Sequence, residues 1–447
     1  MRVAVIGSGI AGLSAAHDLR KAGFEVVVLE RDAQAGGRMA ETMLGSLRVN
    51  TGATILFGFF HQMFDLIREL GLEDRVCAVP ELETAIASNG EIEYEVGREG
   101  VVRLLLHPAI GWRSKLRLPG LLPDLWRAGR RTDPNLAHTA AHFDDESLSE
   151  YLRRRVGEDF LEDYVEPIFR AVWGWEPEVI SKAYFLPTFA HSVRHGMFSF
   201  RDGIGLLTRT LAAGLDVRLR TRVESVGAAS DGERRVVRYR DTSGAGELVA
   251  DLVVCAVPGS RVAGLVEGLA PDQRRFFERV RYTTYSEVHY VLASPPPAWG
   301  RTYTRRHPSR FSSFQQVPGN PERPGDPPRL FCCLSPKTVA EYQAANPPQD
   351  VGDWILPAAR ELYPRLDEEL AEVHVQWWDD MLPEFYPGYI RELASFLEAQ
   401  SPRKRRVYFC GDYLAHAHTG GACASGRRTA DTILRHWRPA PAVNQGR

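Results

Sequence analysis

Residues 2–6 (RVAVI) form a short apolar run ending at Gly7, residues 13–22 are helix-like, and residues 25–29 (EVVVL) return to an apolar, β-branched run. Strand, turn, helix and strand within about 30 residues predict a βαβ unit with parallel pairing and a right-handed crossover. Farther along, Met63, Ile67 and Leu70 fall on one face of a helix over 62–70, with Gly71 as its stop. Residues 84–95 read as two short strands around Asn89-Gly90, and 145–164 read as helix. Strand character returns at 215–226 and at 251–257, where DLVVCAV precedes Pro258. Residues 282–292 and 371–377 have the pattern of long strands in a second sheet. Nine prolines between 295 and 328 predict loop or edge structure there. The stretch from 438 to the end reads as a frayed tail, and no internal repeat is present.

Composition narrows this picture. With 447 residues, 44% hydrophobic and 25% charged, the chain has the make-up of a globular protein of two or three domains. A net charge of -2 gives no electrostatic case for nucleic acid as a partner. The six cysteines at 77, 255, 332, 333, 410 and 423 form no CxxC pair and have no zinc-ligand spacing, so they read as reduced thiols in a cytoplasmic protein. No metal site is expected. The first residues are already a strand, so no secretory leader is expected, and no run of about 18 apolar residues predicts a membrane span.

Gly7-Ser8-Gly9-Ile10-Ala11-Gly12 is GxGxxG set between the first strand and helix. Gly7 permits the tight turn, Gly9 lets backbone approach a pyrophosphate, and Gly12 lets helix pack on strand. The helix N-terminus then offers free N–H groups to phosphate. Glu30, at the end of the second strand, can accept hydrogen bonds from both ribose hydroxyls and would repel a 2′-phosphate. Ala35-Gly36-Gly37-Arg38 follows directly. With these motifs the sequence resembles the family of FAD-dependent amine oxidases, protoporphyrinogen oxidases and carotenoid-type desaturases, whose N-terminus carries GxGxxG, a ribose-binding Glu and then GGR.

The likeness continues along the chain. Asn50-Thr51-Gly52-Ala53 resembles the family's next motif, although an acidic residue is usual where Asn50 stands. Phe200–Ile204 resembles the glycine-rich element before a helix, and Leu219–Val226 resembles the strand that meets adenine, with Val223 at the contact. Val253–Pro258 and Trp377–Gly388 (WWDDMLPEFYPG) match further stretches, the latter of the protoporphyrinogen-oxidase-like branch. Tyr408–Asp412, Gly421-Ala422 and Ser425-Gly426 resemble the closing flavin motif, where a helix N-terminus meets the flavin's pyrimidine edge. The resemblance implies non-covalent FAD. It assigns cofactor contacts to Gly7, Gly9, Ile10, Ala11, Gly12, Glu30, Arg31, Gly36, Gly37, Arg38, Gly52, Ala53, Val223, Gly411, Asp412, Gly421 and Ala422.

The implied fold is α/β: a Rossmann-like FAD-binding domain, discontinuous over 1–80, 200–265 and 385–437, with an α+β substrate domain and mixed sheet over 81–199 and 266–384, and a tail at 438–447. The implied chemistry is oxidation of a C–C or C–N bond in a largely apolar or aromatic molecule, with hydride passing to flavin N5. Flavin amine oxidation and a non-redox isomerisation are the alternatives. No second GxGxxG marks an NAD(P)H domain, so oxygen or a quinone is the expected electron acceptor. His416 and His418, in the closing loop, are candidate catalytic residues or else solvent-exposed loop histidines. Lys182 and Lys337 are weaker candidates for a lysine near N5, and Cys410 and Cys423 for covalent attachment. Trp173 and Trp175 belong to an aromatic set that either touches substrate or packs as core. The stretch 103–131 carries seven basic residues and one acid, Asp124, among apolar ones. It is either a solvated helical face or a peripheral membrane patch.

Overall fold

The computed structural model describes residues 1–79, 84–88, 92–96, 106–192, 195–319, 326–400 and 405–437. The predicted βαβ unit is there. The strands Arg2–Ile6 and Glu25–Leu29 pair in parallel around the helix Ile10–Lys21. They sit inside a five-stranded parallel sheet in the order 216–218, 25–29, 2–6, 252–255, 407–409. Its strands are continuous apolar runs because both faces are covered: helices Ile10–Lys21 and Thr419–His436 pack on one, and Val226, Val237 and Leu248 of a three-stranded antiparallel sheet lie in the cluster on the other. Val3, Val5, Val26, Val28 and Leu252 pack on one side, while Ala4, Ile6, Leu29 and Val253 pack on the other.

The expected strand over 215–226 is two strands in two sheets. Arg220 takes a left-handed conformation (φ 51°) that ends Asp216–Arg218 and redirects the chain into Arg222–Ala228. The turn is pinned to the second strand's end by Thr221 N–H donating to the Glu30 carbonyl at 2.7 Å. Arg222–Ala228 then begins a three-stranded antiparallel sheet.

A seven-stranded mixed sheet holds Tyr285–Leu292 and Leu370–Trp378 as antiparallel neighbours, as their patterns predict. The proline-rich stretch departs from expectation. Trp299–Tyr303 and Phe311–Val317 are interior strands of this sheet, not loop or edge. Both segments lack proline; the prolines at 295–297, 308, 318 and 327–328 flank them, where no ladder bond is lost. Helices Pro336–Ala345 and Val351–Leu362 bury one face of the sheet around Val288, Tyr290 and Leu330. Thr84–Ser88 and Ile92–Val96 pair as an antiparallel hairpin at its edge, and the expected Asn89-Gly90 turn lies outside the described residues.

The helical stretch 145–164 is also broken. Ser147 caps Leu148–Arg155 with a reciprocal capping box to Glu150, and Gly157 interrupts the run. It resumes at Glu158, passes through a π-turn over Leu161–Val165 and continues to Val172. The helix His61–Glu69 lies one residue earlier than predicted and buries Met63 and Ile67 fully. Among the described residues no helix is long and apolar enough to cross a membrane. The tail from 438 and residues 103–105 lie outside the described residues.

Candidate functional site

Two cavities meet over the C-terminal ends of the parallel strands, the usual place for a ligand in an open α/β sheet. The larger, about 1150 Å3, is walled by Gly7, Gly9, Glu30, Arg31, Gly37, Arg38 and Val223, and by Trp378 from the second sheet. The smaller, about 210 Å3, is walled by Ile10, Ala11, Gly36, Arg38, Gly52, Ala53, Gly411, Asp412, His418 and Ala422, with Phe57, Phe60, Trp173, Met381 and Leu382 opposite. Gly9, Arg38 and Ala256–Pro258 belong to both walls, so the two form one trough.

The glycine loop builds one side. Gly9 stands at the N-terminus of Ile10–Lys21, and no side chain caps that end, so its N–H groups are left for a ligand. Gly12 touches neither cavity and serves packing: a Cβ there would stand 2.1 Å from the Gly7 carbonyl oxygen. The Gly36-Gly37 turn docks on this loop, with Gly36 N–H donating to Ser8 O at 2.9 Å. Glu30 is buried, and its carboxylate accepts from Ser8 N–H and Ser8 Oγ–H at 2.7 Å each and from Asp32 N–H at 2.9 Å. Those bonds fix the carboxylate in the wall of the larger cavity.

At the junction, Arg38 pairs with buried Asp412 at 2.8 Å and donates to the carbonyl of Met381. Tyr282 donates its hydroxyl to Asp412 at 3.3 Å, and burial beside Asp412 holds that phenol well above its usual range. This cluster ties the N-terminal GGR turn, the second sheet and the closing motif to one another. The 18-residue helix Thr419–His436 points its N-terminus at the smaller cavity through Thr419 and Ala422.

His418 is the cap of that helix. Its Nδ1 accepts from Gly421 N–H at 2.9 Å, so Nε2 carries the proton and donates to Pro134 O at 2.9 Å. Both ring nitrogens are engaged, and burial lowers its pKa to about 4. The ring stacks on Phe60 (4.5 Å) and presents carbon to the cavity. His416 is fully buried and lines neither cavity; it stacks on Tyr184 at 4.2 Å and reaches Thr188 Oγ1 at 3.2 Å. Burial holds it well below the usual histidine range. Neither histidine is an exposed loop residue. Gly421 is likewise off the wall, its N–H given to His418.

Of the tryptophan pair, Trp173 lines the smaller cavity, while Trp175 is core, edge-on to Tyr184. Lys182 is held by Asp145 (2.8 Å) and Glu146 (2.6 Å), and Lys337 is exposed beside Glu341. Among the described residues no lysine lines either cavity. Cys410 and Cys423 are buried free thiols off both walls, and burial pushes Cys423 up to about 12.

The sequence carried no signal for Ser8 as the holder of Glu30, nor for Phe57, Phe60, Met381 and Leu382 as cavity wall. Only the crossing of distant segments brings these together. Thr51, quoted only as part of its motif, donates to Gly37 O at 2.6 Å and braces the GGR turn.

The family model for flavin containing amine oxidoreductases matches residues 10–434. Over 187 residues the chain is 26% identical to protoporphyrinogen oxidase 2 of Arabidopsis thaliana, covering 42% of this chain and 35% of that protein. Over 285 residues it is 26% identical to coproporphyrinogen III oxidase of Mycobacterium bovis, covering 60% and 61%. The matches thus span less than two thirds of either relative. Among solved structures, cyclohexylamine oxidase from Brevibacterium oxydans superposes with a TM-score of 0.70 at 17% identity, covering 97% of this chain and 98% of that one. The chain belongs to the flavin-containing amine oxidoreductase family.

Proposed function

We propose that the protein binds FAD non-covalently in the trough and desaturates a C–C or C–N bond of a largely apolar or aromatic small molecule. The FAD-binding region is the discontinuous set 1–80, 200–265 and 385–437, and the remaining segments form the substrate domain. The residues fit the dinucleotide. In this reading the uncapped helix at Gly9 receives pyrophosphate, Glu30 receives the ribose, and Val223, in the same cavity wall, receives adenine. The helix N-terminus at Thr419 faces the ring end, where its partial positive charge stabilises negative charge. When bound, FAD supplies a hydride acceptor.

The observation that carries the reading is the chemistry of the smaller cavity's wall. Its ionisable members are Arg38 and Asp412, paired to each other, and His418, with both nitrogens bonded within the protein. The wall therefore orients an apolar body and excludes water, and offers no free acid or base. That suits removal of hydride from a C–H bond better than proton-assisted chemistry. The experiment is anaerobic mixing of the FAD-loaded protein with porphyrinogens, polyenes and simple amines. Bleaching of the flavin band by the first two classes is expected; bleaching by amines alone would favour amine oxidation instead.

Access from a membrane is part of the proposal. Leu106, Trp112, Leu116, Leu122 and Trp126 are each more than half exposed, beside Arg113, Arg117, Arg127, Arg130 and Arg131. The one acid of this stretch, Asp124, is buried under Tyr151 and Arg155. An apolar face rich in exposed arginine suits an anionic lipid surface.

A further inference from the structure

A third cavity, of about 370 Å3, lies at the edge of the parallel sheet and shares no wall residue with the trough. It is walled by the edge strand Val407–Phe409, by the helices Tyr389–Gln400 and Thr419–His436, and by His138 and Leu414. Phe396, Leu397, Val407, Phe409 and Leu414 give it an apolar surface. Its charged members are Arg405, Arg428 and the exposed Glu398. The cavity backs onto the closing loop. Arg428 Nη2 donates to Leu414 O at 3.0 Å, and Ala137 N–H, beside His138, donates to Ala415 O at 2.8 Å.

Arg428 is a cation that the protein leaves without a counter-charge. Among the described residues no carboxylate forms an ion pair with it, and its Nε and Nη1 make no hydrogen bond. Burial lowers its pKa, and Asp133, whose charge offsets part of that, has its carboxylate engaged by Asn135 N–H at 2.8 Å. His138 adds no charge, because burial and the neighbouring Arg428 lower it to about 4. Two more polar groups of the same wall residues lack partners. His138 Nδ1 is buried without a hydrogen bond. Gln273 donates to Gln400 Oε1 at 2.9 Å, which orients the amide and leaves Gln400 Nε2 buried and unbonded. Native proteins bond nearly all buried polar groups and pair buried charge. Three exceptions around one cavity mark it as a site for a polar ligand.

We propose that this cavity binds a small amphipathic carboxylate, with its carboxylate on the guanidinium of Arg428 and its apolar body against Leu397, Phe409 and Leu414. One guanidinium beside a neutral imidazole matches a single negative charge in a planar fork, which a carboxylate presents and a phosphate dianion exceeds. The hydroxyls of Thr429 and Thr432 are spent on Phe409 O (3.1 Å) and Arg428 O (2.9 Å), so recognition of the charged end falls to Arg428. The volume sits toward the small end of ligand sites, which suits a single ring or a short chain. Glu398, the acid of this wall, is exposed, and solvent screens it.

The test is titration calorimetry on the full chain after incubation with FAD, with 4-phenylbutyrate and 4-phenylbutan-1-ol as probes that differ in the charge of one end. The acid should bind about tenfold or more tightly than the alcohol. In Arg428→Gln that preference should vanish while FAD content stays unchanged. Leu397→Trp, which fills the cavity and removes no hydrogen bond, should abolish binding of the acid. Equal binding of the two probes to the wild-type protein would overturn the proposal, and so would a preference that survives in Arg428→Gln. Acid binding unaltered by Leu397→Trp would overturn it as well and assign the acid to the trough. The comparison of the two probes on the wild-type protein needs no variant to fold.

Discussion

Glu30 is held in place by three protein hydrogen bonds before any ligand arrives, so its carboxylate is preorganised. Glu30→Ala removes a charged acceptor worth about 1.5–3 kcal/mol per bond. FAD affinity should fall by at least about tenfold in a fluorescence titration, with the protein still soluble; unchanged affinity would remove Glu30 from the ribose site. His418 makes the opposite prediction. Because both its nitrogens are spent, His418→Ala should cost about 1 kcal/mol of stability through loss of the helix cap. It should leave the pH profile of kcat/KM without a lost ionisation between pH 5 and 8, which a pH-rate series checks. The placement of Glu30 at the end of the second strand and the packing role of Gly12 were legible from spacing alone, since both are fixed by one βαβ unit. Those of His416 and His418 were not. What a histidine does depends on what reaches each nitrogen, and Pro134 and Thr188 come from far along the chain.

The elements were most legible where periodicity and boundaries coincided, as in Arg2–Ile6 and Glu25–Leu29. They were least legible where prolines punctuated strands, because composition over 295–328 averages the flanks with the proline-free strands between them. The crossing of Ile10–Lys21 and Thr419–His436 is an element-scale feature with a sharp test. A Cβ on Gly426 would stand 2.1 Å from the Ala11 carbonyl oxygen, a backbone atom that cannot swing away. Gly426→Val should therefore destabilise the fold by several kcal/mol, about 3 or more, read as a large fall in thermal midpoint with loss of FAD. The exposed helices over 112–131 give a second test. Trp112→Ser with Trp126→Ser should abolish co-sedimentation with phosphatidylglycerol vesicles and leave FAD content intact. Equal sedimentation of both proteins would assign this face to solvent.

Across the whole molecule, buried ionisable groups set how stability depends on pH. His107, His138, His289 and His418 are lowered by burial to about 4, so the unfolded chain binds more protons between that value and 6.5. Their share of stability is complete above pH 6.5 and is lost as pH falls toward 4. Glu166 and Glu287 are raised by burial to about 7 and about 8, so the folded chain binds more protons, and their share is lost as pH rises from 4.5 toward 8. The thermal midpoint should peak near pH 6.5, and Glu287→Gln should flatten its decline above the peak; a midpoint that keeps rising to pH 8 would contradict this. At the same scale, the trough joins the two large sheets through Arg38, Asp412 and Trp378, which no local pattern announces. The central claim is that this trough holds one FAD by non-covalent contacts alone. The most direct measurement is the visible spectrum of the purified protein after incubation with FAD and desalting, followed by acid precipitation. The account predicts a flavin band that survives desalting and passes wholly into the supernatant on precipitation. No band after FAD addition, or colour that stays with the precipitated chain, would contradict it.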